Sequence, residues 1–240
     1  MNSDTTIGFN RLIRREWADR TLAILLRDPQ ADVRAELLDG LKNQLSSGEE
    51  KKSRGNALNK TVGVLGKMWF APEDTKVKEE GITLAGSMTE DEWVFLHACQ
   101  AIAVYPFFRN VVHSAGRAMR FGGACSLAES TRKAYEQYGE RESVHRCVRY
   151  VYHTLLDWGL LVKTTKRGHF AIGRTWSPKT KLSVDYLARV CAGGRESLYW
   201  SEFVKDPSFF FVTLSDEPNQ KQRQAFERHG DDFLIQFRQD

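Results

Sequence analysis

The sequence predicts a mainly α fold whose C-terminal end turns α+β. Three observations carry that expectation. Apolar side chains recur at three- and four-residue intervals through most of the chain ahead of Leu160, the spacing of helices with one buried face. Glycine, proline and capping residues fall where those stripes stop. Beyond Leu160 the long stripes give way to short apolar runs of strand length. Of 240 residues 41% are hydrophobic, enough for a real core, and 28% are charged.

Residues 9–27 read as a first helix, with Leu12, Ile13, Trp17, Leu22, Leu25 and Leu26 on one side. Asp28-Pro29 ends it, because the residue before a proline is pushed out of the helical region. Its arginines, Arg11, Arg14, Arg15 and Arg20, read as a solvated face paired with Glu16 and Asp19 as readily as a second nucleic-acid contact. Residues 31–45 form a second helix on Val33, Leu37, Leu38, Leu41 and Leu45. A polar loop, 46–53, precedes a third helix over 57–69, which Pro72 stops. Residues 73–87 are polar and contain glycine, so they are expected to be partly irregular. Thr89 and Glu92 make a capping box that opens a strongly apolar helix from Trp93 to Val104. Pro106 starts the next helix, carried by Phe107, Phe108, Val111, Val112, Ala115 and Met119 and closed by Gly122-Gly123.

The next stretch, Cys125 to Gly173, is the most telling. Ala124-Cys125 can form a short strand, and Ser126 with Glu129 is a capping box that starts a helix at Leu127. Gly139 closes that helix. The following helix, 141–157, buries Val144, Cys147, Val148, Val151, Leu155 and Leu156, and Gly159 caps it. Off its stripe lie Arg141, His145, Arg146, Arg149, Tyr150 and His153. Leu160, Leu161 and Val162 form a strand, 163–169 is a basic turn around Gly168, and Phe170 to Gly173 returns as a strand. Helix, turn, longer helix and basic hairpin in this order describe a winged helix-turn-helix.

After Gly173 come a linker, a helix over 183–190 and a second helix over 197–204. The run 209–214 reads as a buried strand, 219–229 as a helix and 233–237 as a final strand, with the two strands paired. The full expectation is a helical N-terminal region (1–88), a central winged helix-turn-helix (89–175) and a small α+β C-terminal region (176–240).

Charge concentrates in the central module. From Arg141 to Lys181 the basic residues are Arg141, Arg146, Arg149, Lys163, Lys166, Arg167, Arg174, Lys179 and Lys181, against only Glu142 and Asp157, while the whole chain carries +4. A local cationic patch on a near-neutral protein is what steers nucleic acid. In this reading Arg146 and Arg149 face the groove of duplex DNA, with Arg141 and His145 at its mouth. Lys163, Lys166 and Arg167 hold phosphates from the wing, and His169 is a further DNA-binding residue there. The competing class is an interaction subunit that uses the same module for docking or dimerisation.

The segment "RESVHRCVRYVYHTLLDWGLLVKTTKRGHFAIG" resembles the recognition helix and wing of many prokaryotic winged-helix proteins. With an all-helical lead containing "RTLAILL", the chain also resembles the small DNA-binding subunit of BREX-type phage-defence systems. That resemblance implies a bacterial, non-enzymatic, DNA-binding component of a larger antiviral complex.

Other chemistries find little footing. Cys99, Cys125, Cys147 and Cys191 form no Cys-x-x-Cys pair, so neither a disulfide framework nor a zinc site is expected. His97 and Cys99 point apart on a helix, and Asp216, Glu217 and Lys221 lack the strand placement of a nuclease centre. No nucleophile elbow and no glycine-rich phosphate loop occurs. No cofactor and no metal is expected. No apolar run approaches the roughly 20 residues that span a bilayer, and Met1-Asn2-Ser3-Asp4 does not open a signal peptide, so residence in the cytoplasm is the expectation.

Overall fold

A computed structural model describes residues 7–45, 51–73 and 75–237. The elements follow in chain order as α1 (Arg15–Arg27), α2 (Val33–Leu41), α3 (Lys51–Trp69), α4 (Thr75–Ala85), α5 (Trp93–Val104), α6 (Pro106–Gly122), β1 (Cys125–Ser126), α7 (Leu127–Tyr138) and α8 (Glu142–Asp157). They continue as β2 (Leu161–Lys163), β3 (His169–Ile172), α9 (Lys181–Ala192), β4 (Ser197–Tyr199), α10 (Trp200–Lys205), α11 (Gln220–Ala225), β5 (Glu227–His229) and β6 (Asp232–Gln236). The protein is mainly α, with two small antiparallel sheets.

α5 is the centre of the molecule. It is apolar around its circumference, and only Ala103 among its residues escapes full burial. A helix of that kind must be surrounded, and α1, α3, α4, α6 and α9 all pack against it. Two of the buried polar groups on it are satisfied by carbonyls: the Gln100 amide donates to the Val77 carbonyl at 2.9 Å and the Trp93 indole to that of Ala85 at 3.1 Å. The Thr89–Glu92 capping box forms, the Thr89 N–H donating to the Glu92 carboxylate at 3.1 Å, but it caps a 3-10 turn at Glu90–Glu92 that leads into the helix.

The central module follows α6 in the order β1, α7, α8, β2, β3, and its sheet has the strand order β1-β3-β2. This is a winged helix-turn-helix. Cys125 pairs with Phe170 and Leu161 with Ile172. The hairpin is tied to the end of α8: Gly173 N–H donates to Leu160 at 2.9 Å and Arg174 N–H to Gly159 at 2.8 Å. A Cβ on Gly173 would lie 2.2 Å from the Gly159 carbonyl oxygen, so only glycine permits this closure.

One apolar cluster runs from Phe9 to Ile235. Ile13 N–H donates to the Thr154 hydroxyl at 3.0 Å and Arg15 N–H to Asp157 at 2.7 Å, so the N-terminal lead is fastened to the end of α8. The C-terminal region rests on α6 and α5. Arg109 of α6 donates to the Cys191 carbonyl at 2.7 Å and to Asp206 at 3.1 Å, and Phe95 stacks on Trp176 at 5.8 Å.

Several expectations are corrected. α1 begins at Arg15, not at residue 9; Phe9 and Ile13 are fully buried without being helical, because tertiary contacts with Tyr105, Phe108 and Thr154 bury them. α2 ends at Leu41 rather than 45. α3 starts at Lys51, inside the expected loop, of which residues 46–50 lie outside those described. Residues expected to be partly irregular form α4, whose stripe is masked in sequence because it includes Lys78 and Gly81. Lys78 is buried with its ammonium donating to the Ala71 carbonyl at 2.7 Å, and Gly81 admits Trp69, Gln100 and Tyr186.

The C-terminal region differs most. Residues 197–199 are strand β4, and only Trp200–Lys205 is helical. The aromatic run at 209–214 is no strand: Pro207–Phe209 is a 3-10 turn, and Val212 makes a single bridge to Trp176. Phe209 and Phe211 plug the core from this turn. β6 therefore pairs with β4 and β5, not with that run. α11 stops at Ala225, and Glu227–His229 forms β5.

Candidate nucleic-acid interface

α7 starts because the Ser126 hydroxyl accepts from the Glu129 N–H at 3.4 Å. Gly139, with φ of 83°, turns the chain and delivers Arg141 as the extended residue before α8. α8 buries Val144, Cys147, Val148, Val151, Tyr152, Thr154 and Leu155. Glu142, Arg146, Arg149 and His153, spaced four, three and four apart, form its exposed stripe. Tyr152 anchors the helix to the wing from below, its hydroxyl 2.7 Å from Ser130 and its ring 5.1 Å from Phe170.

The hairpin tip is built by backbone and side-chain hydrogen bonds. Thr164 N–H donates to His169 at 3.1 Å, His169 N–H to Lys166 at 3.1 Å, and Leu127 N–H to Gly168 at 3.1 Å. The last bond pins the wing against the start of α7. Gly168 has φ of 74°, the left-handed region this turn needs.

The expected contact residues divide into two groups. Arg146, Arg149, Lys163, Lys166 and Arg167 are exposed, and among the described residues none of them makes an ion pair or a side-chain hydrogen bond. Arg141, His145 and His169 are engaged. Arg141 donates to the Tyr138 carbonyl at 2.8 Å and closes the turn between α7 and α8. His145 lies 3.8 Å from Glu142. His169 Nδ1 is 3.2 Å from the Arg167 carbonyl, where it organises the wing turn. Of the basic residues beyond the wing, Arg174 is held by Asp91 and lies over the Phe95 ring at 5.6 Å. Lys181 pairs with Asp185, and Lys179 is exposed without an ion pair among the described residues.

Arg174 belongs to an ionic chain that braces the module against the N-terminal region. Asp91 bonds Arg174 and, at 3.1 Å, Arg15; Arg15 bonds Asp19 at 3.1 Å; Asp19 accepts from His97 at 2.8 Å. Hydrogen bonds from Arg174 and Arg15 hold the Asp91 carboxyl below its usual range. Burial between Trp69 and Trp158 pushes His97 below its ordinary value, so its imidazole is neutral and its Nε2–H faces Asp19.

A second surface was missed in the sequence. A groove of about 930 Å³ lies between α6 and α7, with Arg117 and Phe121 on one wall and Glu129, Arg132, Lys133 and Glu136 on the other. Phe121 is 81% exposed. The signal was present: Phe121 falls off the apolar stripe through Phe107, Phe108, Val111, Val112, Ala115 and Met119.

Among the described residues no three His, Cys, Asp or Glu side chains gather as a metal site, and no helix is long and apolar enough to cross a membrane. The chain matches no known protein family, no curated protein and no solved structure among those compared with it.

Proposed function

We propose that this protein binds duplex DNA through the exposed stripe of α8 and the wing, without catalysing a reaction. The observation that supports this reading is the set of five exposed cations, Arg146, Arg149, Lys163, Lys166 and Arg167, unpaired among the described residues, on one helix and the hairpin beside it. A cation held in an ion pair must lose that partner before it can neutralise a phosphate; these five have nothing to lose. α8, at 16 residues, is about 24 Å long, sufficient to lie in a major groove with its N-terminal half at the base edges. Arg146 and Arg149 then reach bases or the groove wall, and the wing cations hold phosphates. Arg141 and His169 each hold a backbone carbonyl that shapes the contact surface, and their remaining donors stay part of the proposed contact.

The cellular role that fits a module of this kind, carried by a larger helical body, is a cytoplasmic DNA-binding component of a multi-protein system such as a bacterial phage-defence complex. The exposed Phe121 and its groove favour a protein contact in addition to DNA. Replacing Lys163, Lys166 and Arg167 together by alanine should weaken binding to random and specific duplexes alike in a gel-shift titration. Unchanged affinity in that variant removes the wing from the interface.

A further inference from the structure

We propose that the groove between α6 and α7 is a self-association surface, occupied by the same groove of a second copy of this chain. This inference goes beyond the DNA reading and does not depend on it. A two-fold interface must present both halves of each contact on one surface. This groove does so. Arg117 on the α6 wall and Glu129 on the α7 wall are both exposed, and among the described residues neither side chain makes an ion pair. Rotation about a two-fold axis brings Arg117 of one copy to Glu129 of the other, and the reverse.

Phe121 supplies the apolar anchor. It stands 81% exposed at the end of α6, beside the groove, and is the most exposed large hydrophobic side chain among the described residues. A large aromatic ring left in water beside a concave wall is a typical interface anchor. The charge balance argues against a polyanion as occupant. Glu136 bonds both Arg132, at 2.6 Å, and Lys133, at 3.2 Å, and Glu129 adds a second carboxylate to the same wall. That surface is close to neutral, whereas the α8 stripe and the wing together carry five free cations. None of the groove's lining residues belongs to α8 or to the wing. Two modules joined in this way read two half-sites related by the same symmetry axis.

Two helix faces make a small interface, so association is expected to be weak and concentration-dependent. Light scattering coupled to size exclusion, run over a wide concentration series, tests the proposal. The wild-type chain should shift from 27.5 kDa toward twice that mass as concentration rises. Phe121→Asp should hold the monomer mass at every concentration while its thermal melt stays unchanged, since the side chain it replaces is exposed. Arg117→Glu and Glu129→Arg should each weaken association roughly tenfold or more, and the double exchange should restore it. A wild-type chain that stays monomeric throughout overturns the proposal. So does a dimer indifferent to Phe121→Asp, which would use another face, or a double exchange that fails to restore pairing. Binding of a single-stranded oligonucleotide by a monomeric wild type, lost in Phe121→Asp, would overturn it as well and assign the groove to nucleic acid.

Discussion

Replacing Gly116 by alanine should destabilise this protein, although glycine-to-alanine changes inside helices ordinarily do the reverse. Gly116 lies in α6, where alanine would gain about 0.8–1.0 kcal/mol of helix propensity. Opposing that gain, a Cβ there would sit 1.9 Å from the Pro207 carbonyl oxygen and 2.9 Å from its carbonyl carbon. Neither atom can swing aside as a flexible side chain would; the whole 3-10 turn at Pro207–Phe209 must move off α6. Overpacking of this kind costs about 1–3 kcal/mol, and a backbone contact belongs at the upper end. The net loss is about 1–2 kcal/mol, a fall in Tm of roughly 2–8 °C for a chain of this size. Gly63 is the matched control. It lies inside α3, is exposed, and a Cβ there meets nothing within 4 Å. Gly63→Ala should therefore raise Tm by about 2–4 °C. Thermal and urea unfolding of the two variants read both signs. If Gly116→Ala melts at or above the wild type, the close seating of the C-terminal turn on α6 is refuted.

Other outcomes follow from the buried titratable groups. His97 is held neutral by burial, so the unfolded chain binds a proton there that the folded chain resists. The stability it contributes is fully present above the unfolded value of about 6.5 and is lost as pH falls below it. His97→Gln should flatten the decline of Tm between about pH 7 and pH 5; equal slopes in the two proteins would place the imidazole in water. Cys99, Cys125, Cys147 and Cys191 are all buried, and burial raises each thiol above its ordinary value. An aromatic disulfide reagent should label none of them in the native protein and all four after denaturation. Rapid native labelling at Cys147 would show that α8 is not packed as described.

The central module was legible in sequence because its signals are local. Ser126, Gly139, Gly159 and Gly168 fix a helix start, two turns and the wing tip by their own backbone chemistry. The hydrophobic stripe of α8 leaves Arg146 and Arg149 on the outside by period alone. What escaped was decided by partners far along the chain. α4 was obscured because a buried lysine satisfied by carbonyls looks like a surface residue in sequence. The phenylalanine run after Pro207 has strand composition but spends its rings as plugs, with Phe209 and Phe211 inward and the backbone in a turn. At the interface, sequence supplied the candidate cations but could not sort them. Arg141 and Arg167 look alike in the chain; only the fold shows that Arg141 is committed to the Tyr138 carbonyl while Arg167 is free.

The claim that five free cations form a DNA contact surface is tested most directly by the salt dependence of binding. If all five neutralise phosphates, the logarithm of the association constant should fall with the logarithm of salt at a slope of about −4.5, a loss on the order of 500-fold between about 50 and 200 mM. Removing Lys163, Lys166 and Arg167 should reduce the slope to about −1.8, a loss on the order of tenfold over the same range. Fluorescence anisotropy of a labelled duplex, titrated with both proteins at several salt concentrations, reads the two slopes. A wild-type slope near zero, or one that the three substitutions leave unchanged, would contradict the assignment of this surface to DNA.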